Sequence, residues 1–228
     1  MSLRRSLEFL RLAGLIALAG RAGGALAQAV CTSQGEPVPT AIVERFIPDD
    51  CEACWRSASP ALPKDVVVAD WVVPSGDSDA PLAAAALDES LQRLRSSGAV
   101  PAARLDEERR PVSRPVAGRL RLAQGPVVND YLGVSVDWKP APGAPRSLDA
   151  WVLLVEDIPA GSAGSVVARS LVRGAWSAEG IAAGKAGWTE RRAMHVPASA
   201  NPDRLRLVGW LGDSAGHVAI AAATRCRR

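Results

Sequence analysis

Apolar and polar positions along the chain change their period part-way. From Thr40 to Ile47 (TAIVERFI) the residues are apolar and β-branched enough for a strand, which Pro48-Asp49-Asp50 breaks. Cys51 to Arg56 (CEACWR) then opens a short helix with Asp50 as its cap, ended by Pro60 and Pro63. Asp65 to Val73 (DVVVADWVV) reads as a buried strand, continuous in valine as a parallel sheet requires. After a loop over 74–79, Leu87, Leu91 and Leu94 fall at i, i+4 and i+7. They predict a helix from Pro81, in its first turn, to Ser97, with Gly98 as the stop.

Residues 101–118 lose this order. Arg104 to Arg110 is a charged run followed by Pro111 and by Arg114-Pro115, which predicts a solvated linker or edge. From Arg119 onward the period is two. Val134, Val136 and Trp138 alternate with Ser135 and Asp137, Trp151 to Val155 is a second run, and Arg204 and Arg206 alternate with Leu205 and Leu207. Gly212 to Gly216 has the composition of a hairpin turn leading into a strand over His217–Ala223. This half predicts an antiparallel β-sandwich. The expected fold class is therefore α/β plus all-β, a βαβα unit over residues 28–100 joined to a sandwich over 119–228.

Met1 to Ala27 has the layout of an export signal, with Arg4-Arg5, an apolar run over 12–19, and Ala25-Leu26-Ala27 at the cleavage point. A membrane anchor needs about 20 apolar residues, and Arg21 interrupts this run first. Cleavage leaves no membrane span and places the mature chain in the periplasm or outside the cell. The formal charge of +3 belongs entirely to this leader, whose four arginines face one glutamate. The remainder is balanced and has no net field toward nucleic acid or anionic lipid. Outside the seven tryptophans the aromatics are Phe9, Phe46 and Tyr131, too few for a base-stacking platform. The expected partner is another exported protein.

Export changes the reading of Cys31, Cys51, Cys54 and Cys226, because disulfides persist in oxidising compartments. Three full pairings exist. Joining Cys31 to Cys226 closes nearly the whole mature chain into one loop, worth ~5 kcal/mol in the chain-entropy account. Pairing Cys31 with Cys51 or Cys54 instead would dismantle the Cys-x-x-Cys. A strand leading into Cys-x-x-Cys at a helix start is the opening of a thiol–disulfide exchange site. Helix N–H groups stabilise a thiolate on Cys51, and Cys54 lies close enough to resolve a mixed disulfide. Asp49, Asp50 and Glu52 oppose that thiolate, while Arg56 favours it. The alternative is a permanent short disulfide that pins the helix start.

These segments resemble a family of secreted bacterial thioredoxin-like proteins of unknown function (DUF1223-like). The likeness rests on Val43-Glu44-Arg45-Phe46 through Cys54, on Asp70-Trp71 in an apolar strand, and on Val166-Val167-Ala168-Arg169-Ser170-Leu171-Val172-Arg173. The chain departs from the family at Asp50, where glycine is usual, and at Trp55 and Arg56, where proline soon follows. The resemblance implies a thioredoxin-like fold, a redox role for Cys51 and Cys54, and a cis-proline opposite them. Pro101 is the candidate by chain order, with Pro126 behind it. No cofactor or metal is implied. His195 and His217 are not spaced with the cysteines as ligands, and the Gly/Ser turns at 161–164 and 212–216 do not form a Gly-x-Ser-x-Gly elbow. Two functions follow as expectations: an exported protein with weak exchange activity at Cys51 and Cys54, or a non-enzymatic extracytoplasmic binding or scaffold protein with structural disulfides.

Overall fold

A computed structural model describes residues 31–57, 62–98, 106–113, 117–184 and 186–226. The leader Met1–Ala27 and the candidate Pro101 lie outside the described residues. The chain runs through β1 (Cys31–Thr32), β2 (Ala41–Pro48), α1 (Glu52–Arg56), β3 (Val66–Val73), α2 (Asp88–Ser97) and β4 (Asp106–Pro111). There follow β5 (Arg119–Val128), β6 (Tyr131–Lys139), β7 (Ser147–Ile158), β8 (Arg169–Ala182), β9 (Trp188–His195), β10 (Leu205–Gly212), β11 (Val218–Ala223) and β12 (Arg225–Cys226). Two sheets result. One orders β12-β1-β5-β6-β9, and the other β11-β10-β7-β8-β3-β2-β4.

The expected thioredoxin-like βαβα unit ahead of a separate sandwich is not seen, and the fold is β-sandwich-like throughout. β2 and β3 do pair in parallel, from Ala41↔Val66 to Pro48↔Val73. They are not a free-standing layer, however. β3 meets β8 at Asp70↔Leu171, and β8, β7, β10 and β11 continue the same sheet by antiparallel pairing. The physical reason lies in the valine-rich strands: β3 must be flanked and covered, and β8 supplies the neighbour that a second α/β unit would have supplied.

The core follows the pleat of β7. Leu148, Ala150, Val152 and Leu154 point toward the five-stranded sheet, where they meet Leu122, Leu132, Val134, Val136 and Trp138. Trp151, Leu153 and Val155 point the opposite way, toward Phe46, Trp71, Val208, Trp210 and Leu94 of α2. The seven-stranded sheet is thus buried on both faces at its centre. The helix predicted over 81–97 is shorter than its leucine spacing implied. Leu82 N–H donates to the Asp49 carbonyl (2.9 Å) and Leu87 N–H to the Val72 carbonyl (3.1 Å). Those bonds to the sheet end hold Ala86 and Leu87 extended, so α2 starts at Asp88 after a single 3₁₀ turn over Ala83–Ala85. The hairpin between β5 and β6 turns on Asn129 and Asp130, both at positive φ (49° and 61°), the residue types that tolerate such a tight primed turn.

The charged run expected to be a linker or an edge forms β4 (DEERRP), an edge strand antiparallel to β2. Charge on an edge discourages pairing with other chains. One of its arginines also turns inward. Glu44, fully buried on β2, accepts from Arg93 Nη2 (2.5 Å) and Nε (2.8 Å), from Trp71 Nε1 (3.1 Å) and from Arg110 Nη1. This carboxylate ties α2, β3 and β4 to β2. Glu44→Gln would leave the buried Arg93 guanidinium without its counter-charge, while Arg110 keeps Glu108, and its expected cost is about 3–5 kcal/mol, read from chemical denaturation.

Candidate functional site: the disulfide helix and its arginine anchor

α1 begins where β2 ends. Asp49 N–H donates to the Val73 carbonyl (2.9 Å) and Cys51 N–H to that of Pro48 (3.1 Å), which fixes the turn against the end of β3. Cys51, not Asp50, is the cap: its Sγ accepts from Cys54 N–H (3.3 Å) and its carbonyl accepts from Trp55 N–H (3.2 Å). The two sulfurs are bonded to each other, and Cys31 is bonded to Cys226. No described cysteine is free. The closed state of all four suits an oxidising compartment outside the cytoplasm. Cys51 is partly exposed, whereas Cys54 is buried with Ile47, Trp55, Val72, Ile158 and Leu171.

The acidic flank is less crowded than its sequence implies. Asp49 is buried and turned away, its Oδ1 accepting from Ser75 N–H (2.9 Å). Glu52 is paired with Arg56 one turn on (2.5 Å), an exposed pair of little energetic weight.

A five-residue helix does not hold itself together by propensity, so tertiary contacts must do so. Arg169, at the start of β8 and almost fully buried, donates from Nη2 to the carbonyls of Cys54 (3.1 Å), Trp55 (2.7 Å) and Ser57 (2.9 Å). A cation thereby satisfies the carbonyls left open at the helix C-terminus. Its guanidinium also lies 5.4 Å from the centre of the Trp55 ring. The loop before β8 closes the grip, with Trp55 Nε1 donating to the Ala163 carbonyl (2.8 Å) and Ser165 Oγ to that of Trp55 (3.2 Å).

Behind Arg169 stands Asp70, in the middle of β3 and fully buried. Its Oδ2 accepts from Ser170 N–H (2.7 Å), while its Oδ1 lies 3.6 Å from both Arg169 Nη1 and Arg45 Nη1. Arg45 in turn donates from Nε to Glu107 of β4 (2.8 Å). Burial raises the Asp70 carboxyl above the ordinary value of 3.8, against the pull of the Ser170 N–H, Arg169 and Arg45. Burial likewise lowers Arg169, with Asp70 opposing the shift.

The residues singled out in the sequence fall in different places. Cys51 and Cys54 come together at α1, and Cys31 and Cys226 pair across β1 and β12 (Cys31↔Cys226). Pro126 sits in β5, on the other sheet, where the register with β6 shifts between Gln124 and Val127. His195 lies edge-on to Tyr131 (5.3 Å), and His217 Nδ1 bonds Asp213 in the β10–β11 turn (2.9 Å). Among the described residues no group of three or more His, Cys, Asp or Glu side chains could hold a metal ion. Sequence spacing does not mark Arg169 and Arg45 as site residues; the signal for them is a charge inside an apolar strand, which implies a buried partner.

Two measurements follow from this arrangement. Arg169→Leu takes one donor from each of three carbonyls, of which Cys54 keeps Ser57 and Trp55 keeps Ser165, and removes one of the two cations beside Asp70, so a loss of about 3–5 kcal/mol is expected, with fast amide exchange confined first to α1. Asp70 has a higher pKa folded than unfolded, so the native state holds the extra proton between the two values. Its contribution to stability is fullest below 3.8, falls as pH rises through the folded value, and is constant above it. Asp70→Asn cannot titrate and should gain on the wild type as pH rises from 3.8 toward neutrality, in denaturant midpoints measured across that range.

No family model matches this chain, and no curated protein matches it. Among solved structures it is similar to HBP35 of Porphyromonas gingivalis, with a TM-score of 0.51 and 9% sequence identity, over 84% of this chain and 76% of that one. At that identity the likeness is one of fold.

Proposed function

We propose that this chain works outside the cytoplasm, in the periplasm or secreted, as a non-enzymatic binding or scaffold protein whose two disulfides are structural. The observation that carries this reading is the way Cys54 is held. It is buried in an apolar cluster, its carbonyl is fixed by Arg169, and its sulfur is already bonded to Cys51. An inaccessible sulfur on a clamped helix suits a bond that stays closed. The export-type leader and the resemblance to secreted bacterial proteins of unknown function support the compartment.

A second reading is weak thiol–disulfide exchange, with Cys51 attacking and Cys54 resolving. The partial exposure of Cys51 and the Cys54 N–H on its Sγ favour it. Thiol counting separates the two. On the structural reading the native protein shows no thiols in mild reductant and releases four only once denatured. Two thiols released natively, with insulin-reducing activity that Cys51→Ala abolishes, would establish exchange instead. For the terminal bond, replacing Cys31 and Cys226 by serine is expected to lower stability by roughly 2–5 kcal/mol without moving the Cys51–Cys54 reduction behaviour.

A further inference from the structure

On the outer face of the five-stranded sheet, opposite the core, no side chain of β5, β6 or β9 is buried. The register fixes which residues stand side by side there. One row crosses all five strands as Arg225, Thr32, Ala123, Ser135 and Arg191. The next holds Arg121, Asp137 and Thr189, and the one beyond it Arg119 and Lys139. Neighbours in a row are ~5 Å apart, and successive rows ~7 Å apart along the strands. Arg119, Arg121, Lys139 and Arg191 are exposed, and none has an ion pair or side-chain hydrogen bond among the described residues. Arg225 is exposed too and reaches Glu36 (3.3 Å). Asp137, the one carboxylate in these rows, accepts from Ser135 Oγ (3.3 Å) and Thr189 Oγ1 (3.0 Å). The chain beyond its leader is balanced in charge, so four free cations on one face are a local segregation, with a field that the net charge conceals.

We infer that this face binds an acidic polysaccharide, laid across β5, β6 and β9 with its carboxylates or sulfates on the four free cations. The inference rests on the binding reading above and gives it a ligand class. Guanidiniums take such groups through paired N–H donors. Between the cations the sheet presents small and hydroxylated side chains, so a hydroxyl-rich chain can lie close against it. Ser135 and Thr189 give their hydrogens to Asp137 and keep lone pairs for a sugar hydroxyl. Two rows beyond Ser135 on the same face of β6, Tyr131 is 51% exposed, with His195 edge-on to it, and offers a ring for a sugar to stack on. A bilayer is served less well. No large apolar side chain stands among the cations to enter it, and charge alone holds a membrane only marginally. An acidic peptide is better met by a free strand edge than by the flat of a sheet.

Isothermal titration calorimetry on the intact, oxidised protein tests this, with alginate and dextran sulfate as probes and neutral dextran, poly-glutamate and phosphatidylglycerol vesicles as comparators. Both acidic polysaccharides are expected to bind at about 50 mM salt and to lose at least about tenfold in affinity by roughly 200 mM. Every comparator is expected to bind at least about tenfold more weakly. Arg119→Glu with Arg191→Glu reverses two exposed, unpaired charges, so it should abolish binding and leave the unfolding midpoint in place. Arg95→Glu with Arg204→Glu changes the net charge equally at exposed positions off this face, and should bind as the wild type does. No binding of either polysaccharide, undiminished binding in the first variant, an equal loss in the second, or poly-glutamate or vesicles bound as tightly would overturn the inference. Thiol release is measured separately: absent binding with resistant disulfides removes the basic face alone, whereas binding together with native exchange removes the structural reading and leaves the face.

Discussion

The constraint on which the rest of the structure depends is the burial of the seven-stranded sheet on both faces. β7 gives alternate residues to two cores, and β3 and β2, beyond β8 in the same sheet, have no solvent face to spare for charge. Yet these strands carry Glu44, Arg45 and Asp70. Each must therefore find its partners inside the protein, and the pleat sends them to opposite sides. Glu44 meets Arg93 and Arg110 on the side of α2, and Asp70 meets Arg45 and Arg169 on the other. These ionic clusters do what an all-apolar sheet could not: they specify which helix and which edge strand lie against which face.

Arg169 connects that sheet to the disulfide helix. One nitrogen of its guanidinium holds the end of α1, while another faces the carboxyl of Asp70. Rigid, planar and permanently charged, the group can serve both without a change of rotamer, which a lysine could not. The short helix, its sulfur–sulfur bond and the buried ionic cluster around Asp70 are consequently one mechanical unit.

Much of the β architecture could be read from period and composition. The alternation in β6 and β10, the valine run of β3 and the turn before β11 all have local causes, and so does the short helix at Cys51. The terminal clasp was one of three pairings that cysteine spacing allowed. What the sequence did not disclose was non-local. The pairing of β8 with β3 passes through Asp70↔Leu171, residues 101 positions apart, and nothing in either segment alone announces it. The same blindness shortened α2, because the pull of Val72 and Asp49 on its approach is a tertiary effect. It also hid the buried ionic cluster of Arg45, Asp70 and Arg169, which draws on β2, β3 and β8. Asp70-Trp71 stands out as a motif, but its partners Arg45, Arg169 and Glu44 come from elsewhere in the fold.

The bond between Cys31 and Cys226 has a topological consequence. It links the first and last described strands, which pair with each other at the margin of the five-stranded sheet. Between them lies a closed ring of peptide and sulfur. A protease that severs one exposed loop opens that ring without releasing a fragment, and the two pieces stay covalently joined until a reductant is added. A single wound is therefore survivable: the pieces stay tethered, and the sheets can remain paired around the break.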